Sequence, residues 1–361
     1  MSPAIAPGTL LRAEKIQLPV FYRAKAWRIL YMTRDYENKP VVSSGVIVLS
    51  GYASADQRNR KIVAWAHPVT GIARNCAPSL RQSPIESIAG FNKLITDGYI
   101  IAATDYPGLG TAGPVGFLIG KGQGQAVLDS VRAARQIPDV GGGKEFALWG
   151  YSQGAHATLF ASALASSYAP ELTLVGVAAA APPTDLADLF QQDIRTLEGR
   201  IVVALTLQSW SDKYKLSLSS LLDNRIKKVV TEVADICVDD LGGKLNILTA
   251  QKPLEHKFLH SNPTIVAPWR HLLSTNSVSK LPVGAPTLII QGGSDELVHP
   301  KVTSQFVKEQ CARDEQIKLL ILPGKNHSDT EDASSKPALD WIKDRFTGKP
   351  APISCGVYVA E

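Results

Sequence analysis

Short apolar runs alternate along this chain with longer stretches in which apolar residues recur every three or four positions. Residues 24–33 (AKAWRILYMT) and 41–50 (VVSSGVIVLS) read as strands joined by the charged turn RDYENKP, within a β-like N-terminal region spanning residues 8–50. Residues 61–66 (KIVAWA) read as a buried strand. Residues 83–98 read as a helix, with Ser83 as N-cap, Pro84 in the first turn and Glu86 three positions after the cap. Strand 99–104, helix 123–136 (apolar at Val127, Val131 and Ala134), strand 146–149, a small-residue helix (AHATLFASALASSYA) and strand 172–180 follow. The alternation lapses over residues 182–270, which carry helical stretches. It resumes with strand 286–291, helix 303–313, strand 317–322 and helix 337–346.

This order predicts an α/β fold, a mainly parallel sheet with helices on both faces. The lapse predicts an inserted, mostly helical cap over the carboxyl ends of the strands. The chain then divides into residues 1–181 (first part of the core), 182–270 (cap) and 271–361 (second part of the core). No internal repeat or low-complexity tract is visible.

The densest chemistry lies in FALWGYSQG, residues 146–154, where a strand runs through Gly150, Ser152 and Gly154 into a helix. The spacing G-x-S-x-G suits a sharp strand-to-helix turn, because the residues two before and two after the apex nearly touch and only glycine leaves room. A Gly-rich turn with a surface serine would show the same five letters, but the flanking strand and helix are what the nucleophile reading requires. A serine hydroxyl needs a base, and the base needs a third group to fix its tautomer. In sheets of this kind these follow the serine as acid and then histidine, each past the end of a strand. Asp295, after PTLIIQ, and His327, after IKLLILPG, fit that order. Glu296 is the rival acid and His299 the better rival base. His156 is placed beneath the turn, and His67, His256, His260 and His271 precede the acid. An oxyanion would be held by the N–H of Gln153 and a second N–H from the loop HPVTG. Pro68 lacks an N–H, which leaves Val69 or Thr70.

Composition adds limits. The chain has 361 residues, 45% of them hydrophobic and 20% charged, with no apolar run near the length that spans a bilayer. The net charge of +5 is scattered, and its densest spot, Arg225-Ile226-Lys227-Lys228, reads as a solvated helix face rather than a nucleic-acid patch. The N-terminal stretch lacks the basic region and apolar core of a signal peptide, as expected of a cytoplasmic protein or of a mature, exported form. Cys76, Cys237, Cys311 and Cys355 lie far apart, as free thiols or as two disulfides with three possible pairings.

Taken together, HPVTGIARNCAPS, TDYPGLG, GYSQGAHAT with SSYAPEL, GGSDELV, FVKEQCA and the closing WIK–ISCG resemble the secretory lipase family, over roughly residues 60–355. The resemblance implies an α/β-hydrolase fold, Ser152, Asp295 and His327 as a triad, and the second oxyanion donor near Thr70. It also implies the pairings Cys76–Cys237 and Cys311–Cys355, and hence a secreted or periplasmic location. Gln153 replaces a glycine of the family, without loss of its N–H. The chain ends soon after Cys355, without a C-terminal flap. The expectation is a monomeric serine carboxylic-ester hydrolase that needs no metal or organic cofactor and acts on a small-molecule or lipid ester; the alternatives are an amidase or peptidase on the same triad and a non-catalytic binding protein of this fold. Leu205, Leu207, Trp210, Leu216 and Leu218 would supply either an apolar cap surface or the buried face of an amphipathic core helix. The charged stretch SDKYK in the cap favours short to medium acyl chains over insoluble fat.

Overall fold

A computed structural model describes residues 5–238, 254 and 258–355. The strands are β1 (Leu10–Ile16), β2 (Ala24–Arg34), β3 (Pro40–Ser50), β4 (Ile62–Ala66), β5 (Ile100–Thr104), β6 (Glu145–Tyr151), β7 (Thr173–Ala180), β8 (Thr287–Gly292) and β9 (Ile317–Leu322). Among the described residues they form one sheet in the order β1-β2-β3-β5-β4-β6-β7-β8-β9. The pairings from β1 to β5 are antiparallel. Those from β5 through β4 to β9 are parallel.

Helices cover both faces, so the central strands carry apolar residues on every position. All five residues of β4 are buried. Its Ile62, Ala64 and Ala66 face one apolar layer with α2 (Gly120–Ala134) and α3 (Gln153–Tyr168). Val63 and Trp65 face the other layer, with α1 (Phe91–Thr96) and α9 (His327–Phe346). In that second layer Trp65 stands beside Trp149 of β6, ring centroids 5.4 Å apart. Their indole N–H groups donate to the carbonyls of Ser87 (2.9 Å) and Ala89 (3.0 Å), which satisfies the one polar atom each buries.

Two helices differ from the pattern reading. Residues 83–98 are not one helix. A 3-10 turn, Pro84–Ser87, is followed by α1. Ser83 makes no capping bond with its side chain. The break falls at Gly90, φ +74°, where a Cβ would stand 2.7 Å from Leu339 Cδ1 of α9. The chain leaves the helical region at Ile88, φ −98° and ψ 104°, and re-enters a helix through the left-handed Gly90. Conversely, α9 begins at His327, well before Pro337, which lies inside it rather than in its first turn. Asn326 starts that helix by accepting from the Asp329 N–H at 2.8 Å.

Between β7 and β8 the chain adds α4 (Leu186–Asp193), α5 (Leu197–Tyr214), α6 (Asn224–Ala234) and α7 (Trp269–Thr275), while α8 (Pro300–Cys311) joins β8 to β9. Much of residues 239–257 within the insertion lies outside the described residues. In α6, Ile226, Val229, Val230 and Val233 point inward while Arg225 and Lys228 face solvent. Leu205, Leu207, Trp210 and Leu218 are buried, as a core helix would have them, and Leu216 is half-buried. Trp210 donates to Phe117 O at 2.9 Å, and Ser209 Oγ is bonded to the main chain at Val115 and Phe117. Two disulfides are present, Cys76–Cys237 and Cys311–Cys355.

The Cys311–Cys355 bond joins the end of α8 to the chain beyond α9, a sequence separation of 44 that encloses β9 and α9. Replacing both cysteines with serine should lower the unfolding free energy by roughly 2–4 kcal/mol, read from the urea midpoint at constant slope.

Candidate active site

The carboxyl ends of β4, β6, β8 and β9 open onto one cleft of about 510 Å³. Ser152 stands between β6 and α3 with φ 53° and ψ −119°, outside the regions an L-residue prefers. Glycine is required on both sides. A Cβ on Gly154 would lie 1.8 Å from the Ala66 carbonyl oxygen of β4, and one on Gly150 would lie 2.4 Å from Gly154 O. The Ser152 N–H donates to Ala180 O at 2.9 Å, tying the turn to β7.

His327 Nε2 lies 3.0 Å from Ser152 Oγ, and its Nδ1 lies 2.8 Å from Asp295 Oδ2. A carboxylate only accepts, so Nδ1 carries the proton and Nε2 presents a lone pair to the hydroxyl. Asp295 is 1% exposed. Its Oδ1 accepts from the N–H groups of Leu297 (3.0 Å) and Val298 (2.7 Å), and Gln291 Nε2 stands 3.2 Å from Oδ2. Gln291 is itself fixed by Thr303, whose hydroxyl donates to its Oε1 at 2.7 Å. Tyr151 OH donates to the His327 main-chain carbonyl at 2.7 Å, and its ring lies 5.2 Å from the imidazole. An imidazole held in this tautomer against a serine hydroxyl can accept that proton and later return it.

The rival residues lie elsewhere. Glu296 faces solvent, and His299 precedes the first turn of α8. His260 bonds Ser261 Oγ at 3.1 Å. His271 is exposed on α7, and His256 lies outside the described residues. His156 is fully buried in α3, with Nε2 donating to Asn276 O at 2.7 Å. Its Nδ1 has no partner among the described residues, and burial pushes its pKa down to about 4.

Gln153 is the first residue of α3, so its N–H belongs to the unpaired donors of a helix start. Thr70 is buried beside the cleft, and its carbonyl accepts from the Val238 N–H at 3.0 Å. His67, which reads as a structural brace of this loop, has its ring nitrogens 2.6 Å from Pro68 O and 3.3 Å from Asp105 O, and Tyr106 and Asp105 add bracing that the residues alone do not reveal. Tyr106 OH donates to His67 O at 3.0 Å with its ring 4.6 Å from the imidazole. Asp105 accepts from Ser44 Oγ at 2.6 Å, the Ser79 N–H at 2.9 Å and the Ser79 hydroxyl. Burial pushes the Asp105 carboxyl up and the His67 imidazole down. The stretch TDYPGLG carries these two residues and was the available signal. Among the described residues no group of three or more His, Cys, Asp or Glu side chains could hold a metal.

The model of the family described as secretory lipase matches residues 85–353. Lipase A of Moesziomyces aphidis is 25% identical over 97% of this chain and 79% of its own length. A secreted triacylglycerol lipase of Malassezia globosa is 25% identical over 96% of this chain and 79% of its own. Among solved structures, Candida antarctica lipase A in its closed state superposes with a TM-score of 0.78 at 22% identity, covering 99% of this chain and 86% of that one. This last likeness establishes an α/β-hydrolase fold.

The depressed pKa of His156 gives a signed expectation. Between its ordinary 6.5 and about 4 the unfolded chain binds a proton that the folded chain does not. The contribution is complete above pH 6.5 and is lost as the pH falls toward about 4. At about 1.4 kcal/mol per pH unit it amounts to about 3 kcal/mol. His156→Gln should therefore flatten the acid-side decline by about that amount in urea titrations at stepped pH, and an unchanged decline would contradict the assignment.

Proposed function

The chain belongs to the secretory lipase family and is a carboxylic-ester hydrolase, and from that premise we propose that it works through Ser152, His327 and Asp295. The observation that carries this reading is the imidazole within hydrogen-bond reach of hydroxyl and carboxylate together. Ser152 Oγ attacks the ester carbonyl carbon as His327 Nε2 takes its proton. Asp295 stabilises the imidazolium, and the N–H groups of Gln153 and Thr70 hold the oxyanion. The C–O bond to the alcohol breaks, and His327 returns the proton to the departing oxygen. Water, deprotonated by His327, then attacks the acyl-enzyme, and collapse releases the acid and restores the serine. An alcohol in place of water gives transesterification.

Residues 182–270 act as a cap over this cleft. Leu205, Leu207 and Trp210 of α5 are buried rather than offered to solvent, which supports short to medium acyl chains over emulsified fat. Export to an oxidising compartment is supported by the two disulfides.

Ser152→Ala should reduce kcat on an aryl butanoate by at least about 10⁴-fold, and a serine-reactive phosphonate should label the native enzyme but not the variant. Aryl esters should exceed the matched aryl amides by orders of magnitude in kcat/KM. Faster turnover of amides would indicate a different acyl hydrolase on the same residues, and full activity of the alanine variant would remove the nucleophile.

A further inference from the structure

One wall of the cleft combines apolar side chains with a carboxyl group that the mechanism does not use. Leu186, Leu189, Phe190 and Asp193 of α4, with Val202 of α5, line it. Asp193 is the last residue of α4 and is 3% exposed. Its Oδ1 is buried without a hydrogen-bond partner among the described residues. Burial, with Asp295 adding a like charge, pushes its pKa up to about 8. Its position is fixed, because Gly199 packs so closely that a Cβ there would lie 2.3 Å from Asp193 O.

A buried carboxyl without a partner is costly, and natural proteins leave few such groups. An apolar residue of similar size would remove that cost and extend the wall. A neutral carboxylic acid both donates and accepts a hydrogen bond, as does a hydroxyl, so the two groups satisfy each other. A hydrocarbon chain against this wall leaves the carboxyl unsatisfied, and an enzyme that hydrogen-bonds a substrate hydroxyl discriminates strongly against the analogue without it.

We propose that Asp193 is a specificity residue that selects esters bearing a free hydroxyl on the chain lying along α4, in the acyl or the alcohol part. The inference rests on the hydrolase reading above and adds its substrate class. It runs against the ordinary trend, since a hydroxyl makes a chain less apolar and weakens its binding to a plain hydrocarbon wall.

The test measures kcat/KM for two matched series with the wild-type enzyme: aryl esters of C4 to C10 acids with and without a terminal hydroxyl, and C4 to C10 alkyl butanoates with and without one. At one chain length in one series the hydroxyl-bearing ester should be preferred at least about tenfold, mainly through KM. Asp193→Leu should cut that preference below about twofold and raise kcat/KM for the plain ester, by removing a group that a hydrocarbon chain leaves unpaired. Asp193→Asn, which keeps donor and acceptor atoms, should retain part of the preference and provides a variant of nearly native shape. Equal turnover of both esters by wild type at every length, or a preference unchanged in both variants, overturns the inference. So does a preference for terminal ammonium esters that Asp193→Asn abolishes, which would make the group an anion recognising a cation. Failure of the wild type to hydrolyse any ester, or full activity of Ser152→Ala, would instead sink the hydrolase mechanism beneath it.

Discussion

The closeness of α3 to β4 is the constraint from which the rest follows. Gly154 allows the helix to start against the Ala66 carbonyl, and that contact forces the chain through the unfavourable dihedrals of Ser152. The strain is sustained because β6 is hydrogen-bonded on both sides, to β4 and to β7, and because Ser152 itself donates to Ala180. The outcome is a hydroxyl raised above the sheet and a helix N-terminus beneath it, both without a dedicated loop.

The partners of that hydroxyl are held by main-chain geometry rather than by long side chains. Asp295 accepts from two successive N–H groups of its own turn, which fixes the carboxylate before the imidazole arrives. His327 opens α9 behind the Asn326 cap, so its ring direction is set by a helix that packs against β6, β7 and β8. Tyr151, adjacent to the serine, reaches the His327 carbonyl and joins β6 to the start of α9. Acid, base and hydroxyl therefore share one rigid frame.

Much of this was readable in the residues, for stated reasons. The parallel strands show as unbroken apolar runs because both their faces are covered, and the turn at Ser152 shows because glycine alone satisfies its contacts. The order of serine, acid and histidine put Asp295 and His327 forward, and contact geometry rather than that order sets them apart from Glu296 and His299. What escaped was set by packing at a distance. The helix read over residues 83–98 breaks between Ile88 and Gly90, where the backbone is extended and then left-handed while Leu339 of α9 packs beside Gly90. Pro337, a reasonable helix start on local grounds, lies inside a helix whose real beginning is the Asn326 cap. The α5 leucines fit an exposed apolar face equally well by period, and only the fold shows them buried. Asp193 reads as an ordinary helix terminus, since a missing partner is invisible until its neighbours are in place.

The bond between Cys76 and Cys237 joins chain segments 161 residues apart, and Val238 adds a hydrogen bond to the Thr70 carbonyl. The middle of the inserted segment is thereby tied to the loop that bears Thr70. That segment is anchored at three places, its two chain connections to β7 and β8 and this bond near its centre. Reduction would remove the third anchor and leave the Val238–Thr70 hydrogen bond to hold the loop against it.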